Sequence, residues 1–335
     1  MKQDGIAAVM WVPYEERTEQ IAELLGATLH SVHYLRYKRP LLAPIKYGPQ
    51  FLKTLAVLRR QRPSIVYVMN PPAFAALSVY LYGRASGTPY VMDTHPPALY
   101  SKKWGWTAPL QRALARRALV NIVDQERFRR SFESWGAKAL VLQCPIASRL
   151  GRGTPPAPDS EPFAVTVVNT FARDEPLAPI LGAAQRLPEV RFFITGDTSF
   201  ARNSLLREAP ANVVFTGYLR GEDYWARLRS ARAVMALTTY SHSLLLGAQE
   251  GMAVGKPLLL SRQPALTEYF TKGAVFVDNT VDSVVDGLRQ ARENEHILGR
   301  EILDLGHEKR AELTTQVQRL QAVMRDATGE DVQAQ

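Results

Sequence analysis

Short apolar runs alternate with helix-period segments along almost the whole of this chain, and that alternation constrains the fold more than any other feature. In the first part, Ile6–Val12, Leu29–Tyr34, Ser64–Met69, Pro89–Met92 and Ala139–Leu142 have the β-branched and aromatic content of buried strands. Between them, Thr18–Leu25, Gln50–Arg60, Ala73–Ala85, Ala108–Ala118 and Gln125–Trp135 carry helical spacing. The rhythm restarts with strands at Phe163–Val168, Val190–Thr195, Asn212–Phe215, Val234–Leu237, Pro257–Leu260 and Ala274–Val277. Helices are expected at Leu177–Arg186, at Tyr224–Ala231, around Glu250 and from Asp282 onward, with a helical turn at Thr267–Thr271. Strands that alternate with helices predict parallel sheets covered on both faces.

The one break is Gly151-Arg152-Gly153-Thr154-Pro155-Pro156-Ala157-Pro158, where Gly and Pro leave no hydrophobic period. With 335 residues the chain exceeds one ordinary core. The expectation is therefore two doubly wound α/β domains: residues 1–150, a linker over 151–160, and 161–335 ending in a C-terminal helical segment. No fixed-period repeat is visible.

Composition narrows the function classes. Cys144 is the sole cysteine, which removes a disulfide framework and points to a reducing, cytoplasmic setting. The N-terminus lacks the form of a signal peptide, and no window is apolar enough to span a bilayer. The net charge of +9 is uneven: residues 1–150 carry 21 Lys/Arg against 9 Asp/Glu, and the remainder carries 20 against 23. A basic first half suits an anionic partner, such as a phosphorylated substrate or an anionic membrane surface, as well as simple solubility. Nucleic acid is disfavoured because no recognition module accompanies the charge. Metal-ligand spacing of Cys and His is absent, as is Asp-x-Asp, so neither a metal nor a cofactor is expected.

In parallel α/β sheets, ligands bind beyond the carboxyl ends of the strands. That rule selects Pro13–Arg17 (with Tyr14 and Arg17), Asn70–Pro72, Asp93–His95, Asn169–Arg173 (with Thr170), Gly196–Asp197, Gly217–Tyr218 and Thr238–Leu245 (with Thr239).

Four patterns in the second half stand in order: Phe192-Phe193-Ile194-Thr195-Gly196-Asp197, Asn212-Val213-Val214-Phe215-Thr216-Gly217-Tyr218, Ala231-Arg232-Ala233-Val234-Met235-Ala236-Leu237, and Glu250-Gly251-Met252-Ala253-Val254-Gly255-Lys256-Pro257. Together they resemble the group 1 glycosyltransferases, a mostly retaining family with two facing Rossmann-like domains, the GT-B architecture. In the first half, Val68-Met69-Asn70-Pro71-Pro72 and Tyr90-Val91-Met92-Asp93-Thr94-His95 are similar to segments of transferases that add mannose to lipid-diphosphate-linked oligosaccharides.

The resemblance implies roles for named residues. Glu250 would accept hydrogen bonds from the donor's ribose hydroxyls, a diol suited to two carboxylate oxygens; its plain alternative is an exposed helix Glu. The backbone of His242-Ser243-Leu244-Leu245, at a helix start, would meet the diphosphate. His242 stands where the family has a second Glu that contacts the donor sugar. Arg173 would neutralise the leaving diphosphate, although Asp174-Glu175-Pro176-Leu177 occupies the place of the family's accompanying Lys; an ion pair with Asp174 or Glu175 is the alternative. Tyr218 would lie against the nucleobase, and Asn169, Thr170, Gly196 and Thr239 complete the donor set. Asp93 would take the acceptor proton in an inverting enzyme, while in a retaining one His95 would touch the donor sugar. Tyr14, Arg17 and Asn70 form the acceptor set.

The resemblance thus implies a metal-independent hexosyltransferase moving a sugar from a nucleoside diphosphate sugar to an acceptor, a saccharide or lipid-linked saccharide of surface polysaccharide or glycolipid synthesis. A non-catalytic nucleotide-sugar-binding or scaffold subunit is the alternative, favoured by the missing Glu and Lys. Basic-aromatic stretches at Tyr34–Leu42 and Ser101–Trp106 suit peripheral attachment to an inner membrane face.

Overall fold

The computed structural model describes residues 5–34, 43–145 and 162–329. The expected linker at 151–160 lies outside the described residues. The chain forms two compact units: Met1–Pro145 with Glu312–Gln335, and Ile146–Ala311.

The first unit is built on strands β1 (Ile6–Met10), β2 (Thr28–Ser31), β3 (Ile65–Asn70), β4 (Tyr90–Thr94), β5 (Val120–Val123) and β6 (Ala139–Val141). All pair in parallel, in the order β2-β1-β3-β4-β5-β6. β3 and β4 are buried at every position, which is why they read as continuous apolar runs without alternation. One strand escaped the sequence reading. β5, Val120-Asn121-Ile122-Val123, is interrupted by a polar residue and follows directly on a helix. Asn121 is nonetheless fully buried, because its side-chain amide donates to the Ala115 and Lys138 carbonyls at 2.9 Å.

The second unit carries β7 (Ala164–Val167), β8 (Arg191–Thr195), β9 (Val213–Gly217), β10 (Ala233–Ala236), β11 (Leu258–Ser261) and β12 (Ala274–Val277). These too are all parallel, ordered β12-β11-β10-β7-β8-β9. Counted from β7, this is the doubly wound order 3-2-1-4-5-6. The order of strands reverses between β7 and β10 here, and between β1 and β3 in the first unit.

Small residues bring one helix unusually close to the second sheet. A Cβ on Gly247 would sit 2.5 Å from the Val168 side chain, and one on Gly251 would sit 2.7 Å from Leu258 and 2.9 Å from Val234. The helix Leu246–Ala253 therefore lies directly over β10 and β11, with Ala248 and Met252 buried beneath it.

The last helix, Glu295–Thr328, departs from the expected boundary. Ile302 and Leu305 pack in the second unit's core. Leu313, Leu320 and Met324 instead pack with Ala8, Tyr67, Val91 and Ile122 of the first. The Gln143 backbone N–H donates to Gln316 Oε1 at 2.8 Å, and its side chain donates to Glu312 Oε2 at 3.0 Å. The chain's end thus belongs to the first unit. An amphipathic helix is visible in sequence, but which sheet its apolar stripe covers is not.

Gly251→Val should overpack the β10–β11 face and destabilise the second unit by about 1–3 kcal/mol. Gly105→Ala, in the short helix Lys102–Gly105 with open space around the glycine, should be neutral or stabilise by up to about 1 kcal/mol. Denaturant unfolding of the two variants checks both.

Candidate functional site

In the first unit, the loops beyond β1, β3 and β4 converge where the strand order reverses. Asp93, the fourth residue of β4, is fully buried and surrounded by donors. Arg17 reaches it with Nε to Oδ2 at 3.3 Å and Nη2 to Oδ1 at 3.2 Å. The Tyr67 hydroxyl donates to Oδ2 at 2.5 Å, and His95 Nε2 lies 3.1 Å from the same oxygen. Local chain geometry explains the set. Glu15 caps the helix Glu16–Leu24 by accepting from the Thr18 N–H at 2.6 Å, and this turns Arg17 inward. The His95 N–H donates to the Asn70 carbonyl at 2.8 Å, tying the end of β4 to that of β3.

The charges settle each other. Burial opposes ionisation of Asp93, but Arg17, then His95 and the hydrogen bonds, hold its carboxyl well below the usual carboxylate range. Burial likewise disfavours the charged His95, yet Asp93 and Glu15 outweigh it and raise the ring's pKa. Asp124, just past β5, is pushed up by its own burial, with Arg17 acting against the shift.

This geometry bears on three expectations. Asp93, expected to take an acceptor proton, is fully buried with both oxygens already accepting hydrogen bonds. Arg17 is 8 % exposed and its charge is committed to Asp93, so it does not offer a surface cation to an anionic acceptor. Asn70 is fully buried, and its amide donates at 3.3 Å to Thr94 Oγ1 and Gln111 Oε1; it holds the strand end together. Tyr14 remains exposed, its hydroxyl bonded to Glu16. Sequence reading missed Tyr67, Glu15 and Asp124. Tyr67 sits in an apolar strand where aromatic packing is the ordinary expectation.

In the second unit, the loop after β7 is organised by its own acids. Glu175 Oε2 accepts from the Thr170 N–H at 2.6 Å, from Thr170 Oγ1 at 2.9 Å and from the Ala172 N–H at 3.2 Å. Asp174 Oδ2 accepts from Thr238 Oγ1 at 2.8 Å, and its carbonyl accepts from the Thr239 N–H at 2.7 Å. The residues found in place of a Lys thus join the β7 loop to the β10 loop across the strand-order reversal. With both carboxylates so engaged, Arg173 is exposed and forms no ion pair among the described residues. Asn169 Oδ1 accepts from the Phe171 N–H at 2.7 Å. Gly196, at φ +114°, lies against this turn, where a Cβ would come within 2.2 Å of the Asn169 carbonyl oxygen.

Glu250 is half-buried in the helix Leu246–Ala253 and accepts a hydrogen bond from the Tyr224 hydroxyl. Burial first, and Glu250 second, raise Tyr224 well above the usual phenol range, so the hydroxyl stays a donor. Tyr218 is 63 % exposed, under the Arg220 guanidinium 5.1 Å from its ring centroid. The His242 ring stacks on Tyr240, centroids 5.3 Å apart at 13°. Leu245 is the N-cap, without a side-chain cap bond, so the N–H groups of Leu246, Gly247 and Ala248 lack helical partners. The open amides therefore lie slightly beyond the expected Ser243–Leu245 segment, and Leu244 and Leu245 pack their side chains against the core.

Two cavities, of about 510 and 400 Å³, lie away from these loops. One is lined by Pro188, Arg191 and Pro210, and the other by Val120, Leu140 and Val323. Neither holds a candidate residue. Among the described residues, no group of three His, Cys, Asp or Glu could hold a metal ion.

The family model described as "Glycosyl transferase 4-like domain" matches residues 1–145, and the one described as "Glycosyl transferase-like" matches residues 173–325. Solved structures align over nearly the whole chain. Sucrose-phosphate synthase from Thermosynechococcus elongatus shares 14 % identity at a TM-score of 0.74, covering 98 % of this chain and 100 % of that one. HepE from Anabaena, in complex with UDP and glucose, shares 13 % at 0.68, covering 95 % and 98 %. A putative UDP-N-acetylglucosamine 2-epimerase from Listeria monocytogenes shares 12 % at 0.65, covering 99 % and 98 %. These likenesses show the fold. No curated protein sequence matches the chain.

The buried cluster predicts a pH signature. Asp93, with its depressed folded value, stabilises the first unit above the ordinary carboxylate pKa of about 3.9, and that share is lost as pH falls toward its folded value. His95, with its raised value, stabilises below about pH 6.5, and its share is lost as pH rises through the folded value. Asp93→Ala should cost about 3–5 kcal/mol, because it leaves Arg17 buried and unpaired. Denaturant unfolding of wild type and variant from pH 3 to 9 measures both effects.

Proposed function

The chain belongs to the GT-B glycosyltransferases of group 1 type, and from that premise we propose that it transfers a hexose from a nucleoside diphosphate sugar to a saccharide acceptor without a metal ion. The observation that carries the donor half is the pairing of Glu250 with an uncapped helix start. Glu250 Oε2 accepts from Tyr224, which orients the carboxylate that would accept from a ribose diol. One helical turn earlier, the Leu246–Ala248 amides and the positive end of the helix dipole suit a diphosphate. Arg173, held at the rim by the Asp174 and Glu175 contacts, supplies the cation that meets the developing charge on the leaving group. Tyr218 offers an open ring for the base, and His242 reaches the donor from the preceding loop.

The first unit takes the acceptor, with His95 as its polar group. The further reading is a lipid-linked saccharide in surface polysaccharide or glycolipid synthesis, met at the cytoplasmic face of a membrane. Its support is the exposed segment around Trp106, which is 68 % exposed next to exposed Lys102 and Lys103. From Trp106 a row of rings runs inward through Phe74 and Tyr47 to Trp11, with centroids 5.6–5.8 Å apart. Most of the other basic-aromatic stretch, Leu35–Leu42, lies outside the described residues. Among the described residues, no helix is long and apolar enough to cross a membrane.

A second reading, a nucleotide-sugar-binding subunit without turnover, draws on His242 standing in place of the family's Glu. A panel of UDP-, GDP- and dTDP-sugars separates the two. The enzyme reading expects nucleoside diphosphate release that rises with lipid-linked acceptor, and binding without release supports the second. Glu250→Ala should weaken nucleotide binding by about tenfold or more, and unchanged affinity by calorimetry would remove the site. In vesicle co-sedimentation, recovery with anionic lipid should exceed that with neutral lipid and fall as salt rises. Equal recovery on both removes the electrostatic attachment.

A further inference from the structure

Asp93 receives more donors than an ion pair needs. Oδ2 takes Arg17 Nε, the Tyr67 hydroxyl and His95 Nε2, while Oδ1 takes Arg17 Nη2. Two of these donors sit on separate elements, Arg17 on the helix after β1 and Tyr67 inside β3, so the carboxylate cannot turn without losing contacts to both. An anion fixed in this way decides the state of the imidazole beside it. His95 Nε2 must carry a hydrogen, and a ring flip would break its bond to Asp93. The other nitrogen, Nδ1, stands 3.8 Å from Glu15 Oε1, beyond hydrogen-bond length. It is the polar atom of the ring that the protein has left unbonded.

We infer that Arg17 is a positioning residue, which through Asp93 fixes the ring of His95 and leaves Nδ1 as the atom that meets substrate. This rests on the proposal that the first unit contributes to glycosyl transfer. The charged and titratable groups facing the ring are Asp93, Glu15, Arg17, Tyr67 and Asp124. The two nearest are carboxylates, so the ring favours its charged form. Nδ1 then donates a hydrogen bond to a substrate oxygen, a sugar hydroxyl or a phosphate, and does not act as a base. Arg17 touches no substrate in this scheme.

The test is a titration of the full chain labelled with 15N-histidine, with the His95 signals assigned from His95→Gln. In the wild type, His95 should titrate above its ordinary value of about 6.5, with Nε2 carrying hydrogen. Asp93→Asn should lower the titration, because burial and the Arg17 charge are then opposed by Glu15 alone. Arg17→Met should raise it further, since a like charge is removed, and Arg17→Lys should restore it in part. With a donor that is turned over, Arg17→Met should lower kcat by about tenfold or more while the donor KM stays within about twofold. If Arg17→Met fails to fold, Tyr67→Phe, which removes one bond to Asp93 and no charge, should shift the titration in the same direction by less. A His95 titration unmoved in folded Asp93→Asn and Arg17→Met proteins overturns the inference, as does an Nε2 without hydrogen in the wild type. Shifts as expected in a protein that turns over no donor uphold the positioning of the ring and overturn the transferase reading alone.

Discussion

In a parallel sheet every strand ends on the same edge, and where the strand order reverses, the two loops that leave that edge diverge and open a crevice. Both units obey this constraint, and every candidate residue depends on it. In the first unit the reversal lies between β1 and β3, and Arg17, Asn70, Asp93 and His95 meet there. In the second it lies between β7 and β10, where Asp174 joins the two loops through Thr238 and Thr239. The buried polar groups at these edges are tolerated because each carboxylate has donors in reach, as an unpaired charge in such a place would be costly.

The two units use the edge differently. The first turns its charged groups inward: Arg17 gives Nε and Nη2 to the two Asp93 oxygens, while Arg17 Nη1, Asn70 Oδ1 and Asp124 Oδ1 stay buried without a hydrogen-bond partner among the described residues. The second leaves its groups outward: Arg173 and Tyr218 are exposed, and the start of the Leu246–Ala253 helix is uncapped. Glycine packing sets that helix in place. Gly247 and Gly251 bring it down onto Val168, Val234 and Leu258, so its open amides and Glu250 are fixed relative to the strand ends by a buried apolar contact, which is stiffer than a loop.

Much of this was legible in the chain, for reasons tied to particular residues. All six strands of the second unit announce themselves as apolar runs, and β7, β10 and β11, buried at every position, need no polar alternation. β5 did not, since Asn121 breaks its run and finds partners only through the fold. Strand ends are visible from sequence, so Asp93, His95 and Asn169 read as positions at or just past the carboxyl edge, where β4 and β7 end. The direction in which a side chain turns is not visible. Arg17 looked like a cation available to an acceptor, and only the Glu15 cap and the nearby Asp93 show that its charge is already spent. Likewise Asp174 and Glu175, which read as intruders where a Lys was expected, are the groups that shape the loop behind Arg173. The final helix was foreseen as a helix, but the sheet it covers depends on which apolar faces stay open, a property of the assembled units.

The central claim is that the second unit holds a nucleoside diphosphate by Glu250 and the helix start that precedes it. A crystal structure of the full chain with a bound nucleoside diphosphate tests this most directly. The account predicts the ribose hydroxyls within hydrogen-bond reach of Glu250 and the diphosphate oxygens against the Leu246–Ala248 amides. A nucleotide seated elsewhere, with no ribose hydroxyl within hydrogen-bond reach of Glu250, would contradict it.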